Sequence, residues 1–169
     1  MSENAGQFRA VKPRPGDLAP LFTAPVTGGG YGEAGSISLA ELRGRRVVLV
    51  FYPKDDTPGC TRQACALRDG WSELEAKARI FGVSIDPVKR HRRFAAKYEL
   101  PYPLIADEDQ RIVNDYGVWV EKSIYGKKFM GTERSTFVIG PEGRVEAVLE
   151  KVSPDGHLEL LKQALGNPE

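Results

Sequence analysis

Thiols, imidazoles and charge of one sign are all scarce in this chain of 169 residues. Its 2 cysteines, five positions apart, fit neither a zinc knuckle nor a secreted disulfide scaffold. Lys and Arg number 24 against 23 Asp and Glu, a formal net charge of +1, so nothing points to nucleic acid or to an anionic membrane. No apolar run approaches the roughly 18 residues of a membrane-spanning helix. The opening "MSENAGQFRAVKPRP" has no apolar core and does not read as a secretory signal. We therefore expect a flexible tail over residues 1–12 and one domain over residues 13–169. The expected compartment is the cytoplasm, where thiols stay reduced and a disulfide is usually catalytic or sensory.

What the chain does have is alternation. "LFTAPV" and "SISL" suit two short strands around the glycine-rich loop "TGGGYGEAGS". "VVLVFY" is β-branched and uninterrupted, the pattern of a buried central strand. A helix should follow, with Thr57 as N-cap and Pro58 in the first helical position. Ala64, Leu67, Trp71 and Leu74 recur at helical spacing along it. "RIFGVSI" predicts a second buried strand, "DPVKRHRRFAAKYEL" a helix, "YPLIAD" a strand and "DEDQRIVNDYGV" a short helix ending near Gly117. "STFVIG-PEG-RVEAVLEK" predicts a hairpin, and "SPDGHLELLKQALG" a last helix capped by Ser153. This order implies an α/β, thioredoxin-like fold: a central mixed β-sheet flanked by helices, with an extra N-terminal β-hairpin.

Both cysteines lie in "YPKDDTPGCTRQAC". Cys60 would be the third residue of its helix, where backbone N–H groups lack partners and an anion gains up to about 2 kcal/mol. A free thiol has a pKa of about 8.5, so only a few per cent is thiolate at neutral pH. A reactive sulfur therefore needs more help, and a nearby guanidinium could add ~1–4 kcal/mol. The argument asks for an arginine beside Cys60. On position alone Cys60 could equally be a small buried residue that opens a helix. Pro53 and Pro58, which fix the loop, and Gly59, which leaves room beside the sulfur, weigh against that. In an intact helix the Cα atoms of Cys60 and Cys65 stand about 8.6 Å apart, and a disulfide needs about 4.4–6.8 Å. The thiols join only if the first turn unwinds or if Cys60 bonds to another chain. Unwinding is favoured, since Gly59 and the nearby terminus make that turn easy to open. One thiol would then become a sulfenic acid and the other would resolve it.

The stretch "PKDDTPGCTRQAC" resembles the active site of peroxiredoxins, and the second cysteine five residues on resembles the Q type, also called bacterioferritin comigratory protein. "FGVSIDPVKRHRRFAAKYELPYPLIADED" and "ERSTFVI" extend the likeness. The resemblance implies a thiol peroxidase for hydrogen peroxide and organic hydroperoxides, with Cys60 peroxidatic and Cys65 resolving. It implies that Thr57 bonds peroxide and thiolate, that Pro53 shields the pocket from water, and that Arg134 supplies the guanidinium. Thioredoxin is the implied reductant, and no metal, haem, flavin or other cofactor is implied. A monomer is expected, because resolution within one chain needs no partner. Gln63 stands where many members carry Glu, which we expect to alter charge around Cys65. No general-base histidine belongs to this set, so the leaving oxygen takes its proton from solvent or from the peroxide.

Other signals carry less. The basic run Lys89–Arg93 reads as a solvated face, and His91 and His157 as exposed residues without metal-site spacing. "DEDQ" lacks the pattern of a calcium loop, and the glycines from Gly28 to Gly35 lack that of a phosphate loop. Trp71, Trp119, Phe129 and Phe137 read as core or pocket wall. Besides the peroxidase, a redox sensor using the same disulfide remains open. A copper-handling protein is weakly supported, and a disulfide reductase would use Cys-x-x-Cys.

Overall fold

The computed structural model describes residues 11–166. Most of the expected tail, residues 1–10, lies outside them. Lys12, its last residue, is tied down by Glu133 at 3.1 Å.

In chain order the elements are β1 (Thr23–Thr27), β2 (Gly35–Ser38), a 3-10 turn (Leu39–Leu42), β3 (Val47–Phe51), α1 (Pro58–Asp69) and α2 (Trp71–Glu75). There follow β4 (Arg79–Ser84), α3 (Val88–Tyr98), β5 (Leu104–Ala106), α4 (Arg111–Asp115), β6 (Trp119–Ile124) and β7 (Lys127–Thr132). The chain closes with β8 (Ser135–Ile139), β9 (Val145–Leu149) and α5 (His157–Leu165). Seven strands form one sheet in the order β2-β1-β5-β4-β3-β8-β9. The centre β3, β4 and β5 is parallel, while β8 runs antiparallel to β3. The expected hairpin β1–β2 joins the sheet through β1 against β5. The thioredoxin-like mixed sheet anticipated from the element order is therefore present.

β3 shows why its sequence is uninterruptedly apolar. Alternate residues of a strand face opposite sides. Val47, Leu49 and Phe51 enter one core layer with Phe81, Tyr116 and Phe137. Val48 and Val50 enter the other, with Leu67, Ile80 and Leu161. Helices cover both faces, so no position on β3 can be polar. The strand delivers the chain at Tyr52 to the carboxyl end of the parallel strands, where the loop to α1 starts.

Four expectations need correction. The long helix breaks at Gly70, whose Cβ would crowd Leu158 at 3.3 Å, leaving α1 and α2. The N-cap of α5 is Gly156, while the Ser153 hydroxyl instead accepts from the Asp155 N–H. The separate two-stranded ribbon β6–β7 was not anticipated. Its turn, Tyr125-Gly126, has φ of +52° and +82°, a type I′ pattern written with Tyr rather than Asn or Asp. Phe129 belongs to that ribbon and is exposed, not core or pocket wall; Phe137 is fully buried, and Trp71 and Trp119 are partly so.

Candidate active site

Thr57 takes the N-cap of α1 with extended backbone, Pro58 is the first helical residue, and Cys60 is the third. The Thr57 hydroxyl donates to the Lys54 carbonyl at 2.8 Å and makes no cap bond. The first turn of α1 therefore lacks a side-chain cap. Cys60 is only 2 % exposed. Its sulfur faces a small cavity walled by Val50, Tyr52, Gln63, Gly82 and Tyr102. Pro53 is half-buried at the start of the loop and is not among the residues lining that cavity.

Arg134 supplies the cation that the sequence argument required. Its Nη1 donates to Cys60 Sγ at 3.4 Å and to Gln63 Oε1 at 2.7 Å. This corrects the expectation for Gln63. Residues three apart on a helix share a face, so Gln63 lies beside Cys60 and acts on Arg134, not around Cys65. The guanidinium is thus steered by an amide, which adds no negative charge of its own. A Cβ at Gly59 would come within 3.2 Å of Pro154 and 3.3 Å of the guanidinium, so glycine allows this close approach. Both cysteines are free thiols, Cys65 half-buried on the intact helix. Tyr102 borders the same cavity and is held as a neutral phenol, its pKa pushed up by burial first and then by the nearby Cys65.

The model of the AhpC/TSA family matches residues 15–148. The chain belongs to the AhpC/TSA family. Among its relatives, a peroxiredoxin bcp of Coxiella burnetii is 48% identical over 144 residues, covering 85% of this chain and 92% of the relative. Peroxiredoxin Bcp of Escherichia coli is 39% identical over 147 residues, covering 86% and 91%. A solved peroxiredoxin Q mutant from Xylella fastidiosa superposes with a TM-score of 0.82 at 32% identity, covering 92% and 97%. The bacterioferritin comigratory protein of Xanthomonas campestris, described for its alkyl peroxide reduction activity, gives 0.76 at 36% identity, covering 92% and 96%. The chain is accordingly a peroxiredoxin, a peroxidase of the oxidoreductase class with a thioredoxin-like fold.

Two further clusters of this peroxiredoxin were missed in the sequence, because both histidines read as exposed. Both are fully buried. His91 Nδ1 meets Asp55 Oδ2 at 2.6 Å and Nε2 meets the Ile105 carbonyl at 3.0 Å. His91 thus bridges Asp55 and the Ile105 carbonyl in the interior. Tyr52 donates its hydroxyl to the other Asp55 oxygen, and Asp86 accepts from the Asp55 N–H and the Ser84 hydroxyl. Arg90 ion-pairs with Asp86 at 3.2 Å and donates to the Asp55 carbonyl. The basic run is thus solvated only in part. The stripe His91–Phe94–Tyr98, at helical spacing, was the signal that one face turns inward. Asp55, Asp86 and His91 are near enough together to suggest a metal site. Their ligand atoms are already taken up by one another, by Tyr52, Ser84 and Ile105, and by Arg90, and this satisfies the group without an ion. The second cluster stands behind Arg134. His157 Nε2 and the Thr136 hydroxyl are 2.8 Å apart, joining α5 to β8. Burial, and then Arg134, lowers the His157 pKa to about 4, so the ring is neutral.

Proposed function

We propose that the chain reduces hydrogen peroxide and organic hydroperoxides through Cys60, with Cys65 as the resolving thiol and thioredoxin as the reductant. The observation that carries the proposal is the Arg134 guanidinium at 3.4 Å from a buried sulfur at the amino end of α1. Both features place positive potential at the sulfur that would attack the peroxide.

The chemistry follows in balanced steps. The Cys60 thiolate attacks one peroxide oxygen, the O–O bond breaks, and the other oxygen leaves as water or an alcohol after taking a proton. Arg134 and the unpaired N–H groups of the first turn stabilise charge on the oxygens. Cys60 is now a sulfenic acid. Cys65 attacks its sulfur and expels water, which requires the uncapped first turn to unwind. A protein dithiol then reduces the disulfide by exchange. Thr57 reaches the peroxide only by turning its hydroxyl from the Lys54 carbonyl. A monomer in the cytoplasm suits this scheme, since the resolving thiol comes from the same helix.

Peroxide consumption with thioredoxin and its reductase tests the reading. Cys60→Ser should lose turnover entirely. Cys65→Ser should consume about one equivalent of peroxide and then stall or overoxidise. Sustained turnover in the first variant removes Cys60 from the mechanism, and sustained cycling in the second removes Cys65. A pure redox sensor would form the disulfide yet show no steady-state turnover.

A further inference from the structure

One amide in the reactive centre lacks a partner. Gln63 is 2% exposed, and its Oε1 accepts from Arg134 Nη1 at 2.7 Å. A guanidinium only donates, so the amide oxygen must face Arg134 and the Nε2 must point elsewhere. That Nε2 is buried and has no hydrogen-bond partner among the described residues. A buried donor left unpaired loses the bonds to water that it makes in the unfolded chain, and such groups are rare in folded proteins. An acceptor that arrives during the reaction would account for it.

The surroundings point to one acceptor. Gln63 and Cys60 share a face of α1 and wall the same cavity. The cavity offers about 10 Å³, room for a single water-sized group. Its wall is otherwise poor in free polar atoms. Val50, Ala64, Leu67 and Phe94 are apolar, and the Tyr52 hydroxyl is spent on Asp55. A buried water typically makes about three hydrogen bonds, and here it would find few partners. An oxygen bonded to Cys60 Sγ needs none in order to stay, because the sulfur carries it.

We propose that Gln63 holds the sulfenic acid of Cys60 in the folded first turn, its Nε2 donating to the oxygen that the peroxide leaves on the sulfur. The inference rests on the peroxidase reading above. The S–O bond forms as the O–O bond breaks, and the S–OH oxygen turns into the cavity and accepts from Nε2. Resolution must break that hydrogen bond. Cys65 then attacks the sulfur, the S–O bond breaks, and the oxygen departs as water with the proton of the Cys65 thiol. Gln63 thus lengthens the interval before unwinding. In that interval a second hydroperoxide can give one oxygen to the sulfur, forming sulfinic acid and leaving as water or an alcohol. A glutamate at this position would accept from Arg134 equally well, but its ionised carboxylate has no donor for the sulfenic oxygen.

Gln63→Glu tests this, followed by stopped-flow tryptophan fluorescence after one equivalent of hydrogen peroxide. Disulfide formation, the unimolecular step after oxidation, should run roughly tenfold faster than in the wild type. The sulfinic fraction formed under excess peroxide, read by mass spectrometry, should fall by a similar factor. If Gln63 only held Arg134, the reverse would be seen, since a carboxylate pairs more strongly with the guanidinium and clamps the turn. A disulfide step equal to the wild type or slower overturns the proposal. A second comparison stands even if Gln63→Glu does not fold: Cys65→Ser, which cannot resolve, against Cys65→Ser/Gln63→Met. One equivalent of peroxide should slow amide hydrogen exchange in the first turn of α1 in the former and leave it nearly unchanged in the latter. Equal slowing in both overturns the proposal. A wild type inert to peroxide in single turnover would overturn the underlying peroxidase reading, a result separable from the others.

Discussion

The loop Tyr52–Thr57 and the first turn of α1 are adjacent in sequence and held in opposite ways. The loop is pinned at its middle by buried polar groups: Tyr52 and His91 grip the Asp55 carboxylate, and Asp86 takes its N–H. The first turn has no side-chain cap and is held from outside by Arg134, by Pro154 against Gly59 and by the exposed Arg62–Asp155 pair. An exposed pair of that kind contributes about 0–1 kcal/mol. The difference shows how a peroxiredoxin could open one turn without losing its site. On the proposed mechanism the anchor would stop the unwinding at Thr57, and the weakly held turn is the part that would move.

The anchor should be the costlier place to cut. His91→Leu removes one partner of a buried pair and leaves Asp55 without its imidazole, which should cost about 3–5 kcal/mol of folding stability. Urea unfolding measures this. A loss near zero would mean that the loop does not depend on the buried pair, and the contrast with the first turn would collapse.

The second cut falls on the turn itself. Arg134→Gln removes the charge beside Cys60 and leaves an amide two atoms short of the Nη1 that meets the sulfur. The single-turnover rate with hydrogen peroxide should fall roughly 10²-fold, with stability less affected than in His91→Leu. Stopped-flow fluorescence and urea unfolding on both variants give the comparison directly. If Arg134→Gln unfolded as readily as His91→Leu while keeping its rate, the guanidinium would be a structural clamp rather than part of the chemistry.

These two regions were unequally legible in the sequence. Val47–Phe51, Pro58 and the Cys60–Cys65 spacing announce a buried strand, a helix start and a thiol pair, because each rests on local periodicity or local backbone preference. The need for a cation near Cys60 also followed from the energetics of an isolated thiolate. Its source, 74 residues away, came only through the resemblance. The anchor was hidden because Asp55 and His91 are 36 residues apart, and a histidine inside a basic run looks solvated until the helix face is known. The ribbon was hidden for a different reason. Its strands mix lysines with apolar residues on both faces, since neither face is covered, so no clean alternation appears. Tyr125-Gly126 adopts a turn usually written with Asn or Asp.

The smallest expected effect tests what lies beneath the reactive turn. His157 joins α5 to β8 through Thr136, and the segment before α5 carries the Pro154 that abuts Gly59. Folding lowers the His157 pKa from 6.5 to about 4, chiefly by burial. Between those values the unfolded chain binds a proton that the folded chain refuses, so stability falls as pH drops through the window and is fully present above it. The two values imply a loss of about 2 kcal/mol between pH 7 and pH 5. Asp107 works in the other direction, its pKa raised by burial to about 6, so its folded form gains protons and stability over part of the same range. That contribution is common to the wild type and His157→Gln and cancels in their difference. The wild type should therefore lose about 2 kcal/mol relative to His157→Gln on going from pH 7 to pH 5, read from urea midpoints at each pH. Parallel pH dependences would mean that the imidazole is not excluded from its charged form. The floor under the first turn would then be wetter than a buried, neutral His157 requires.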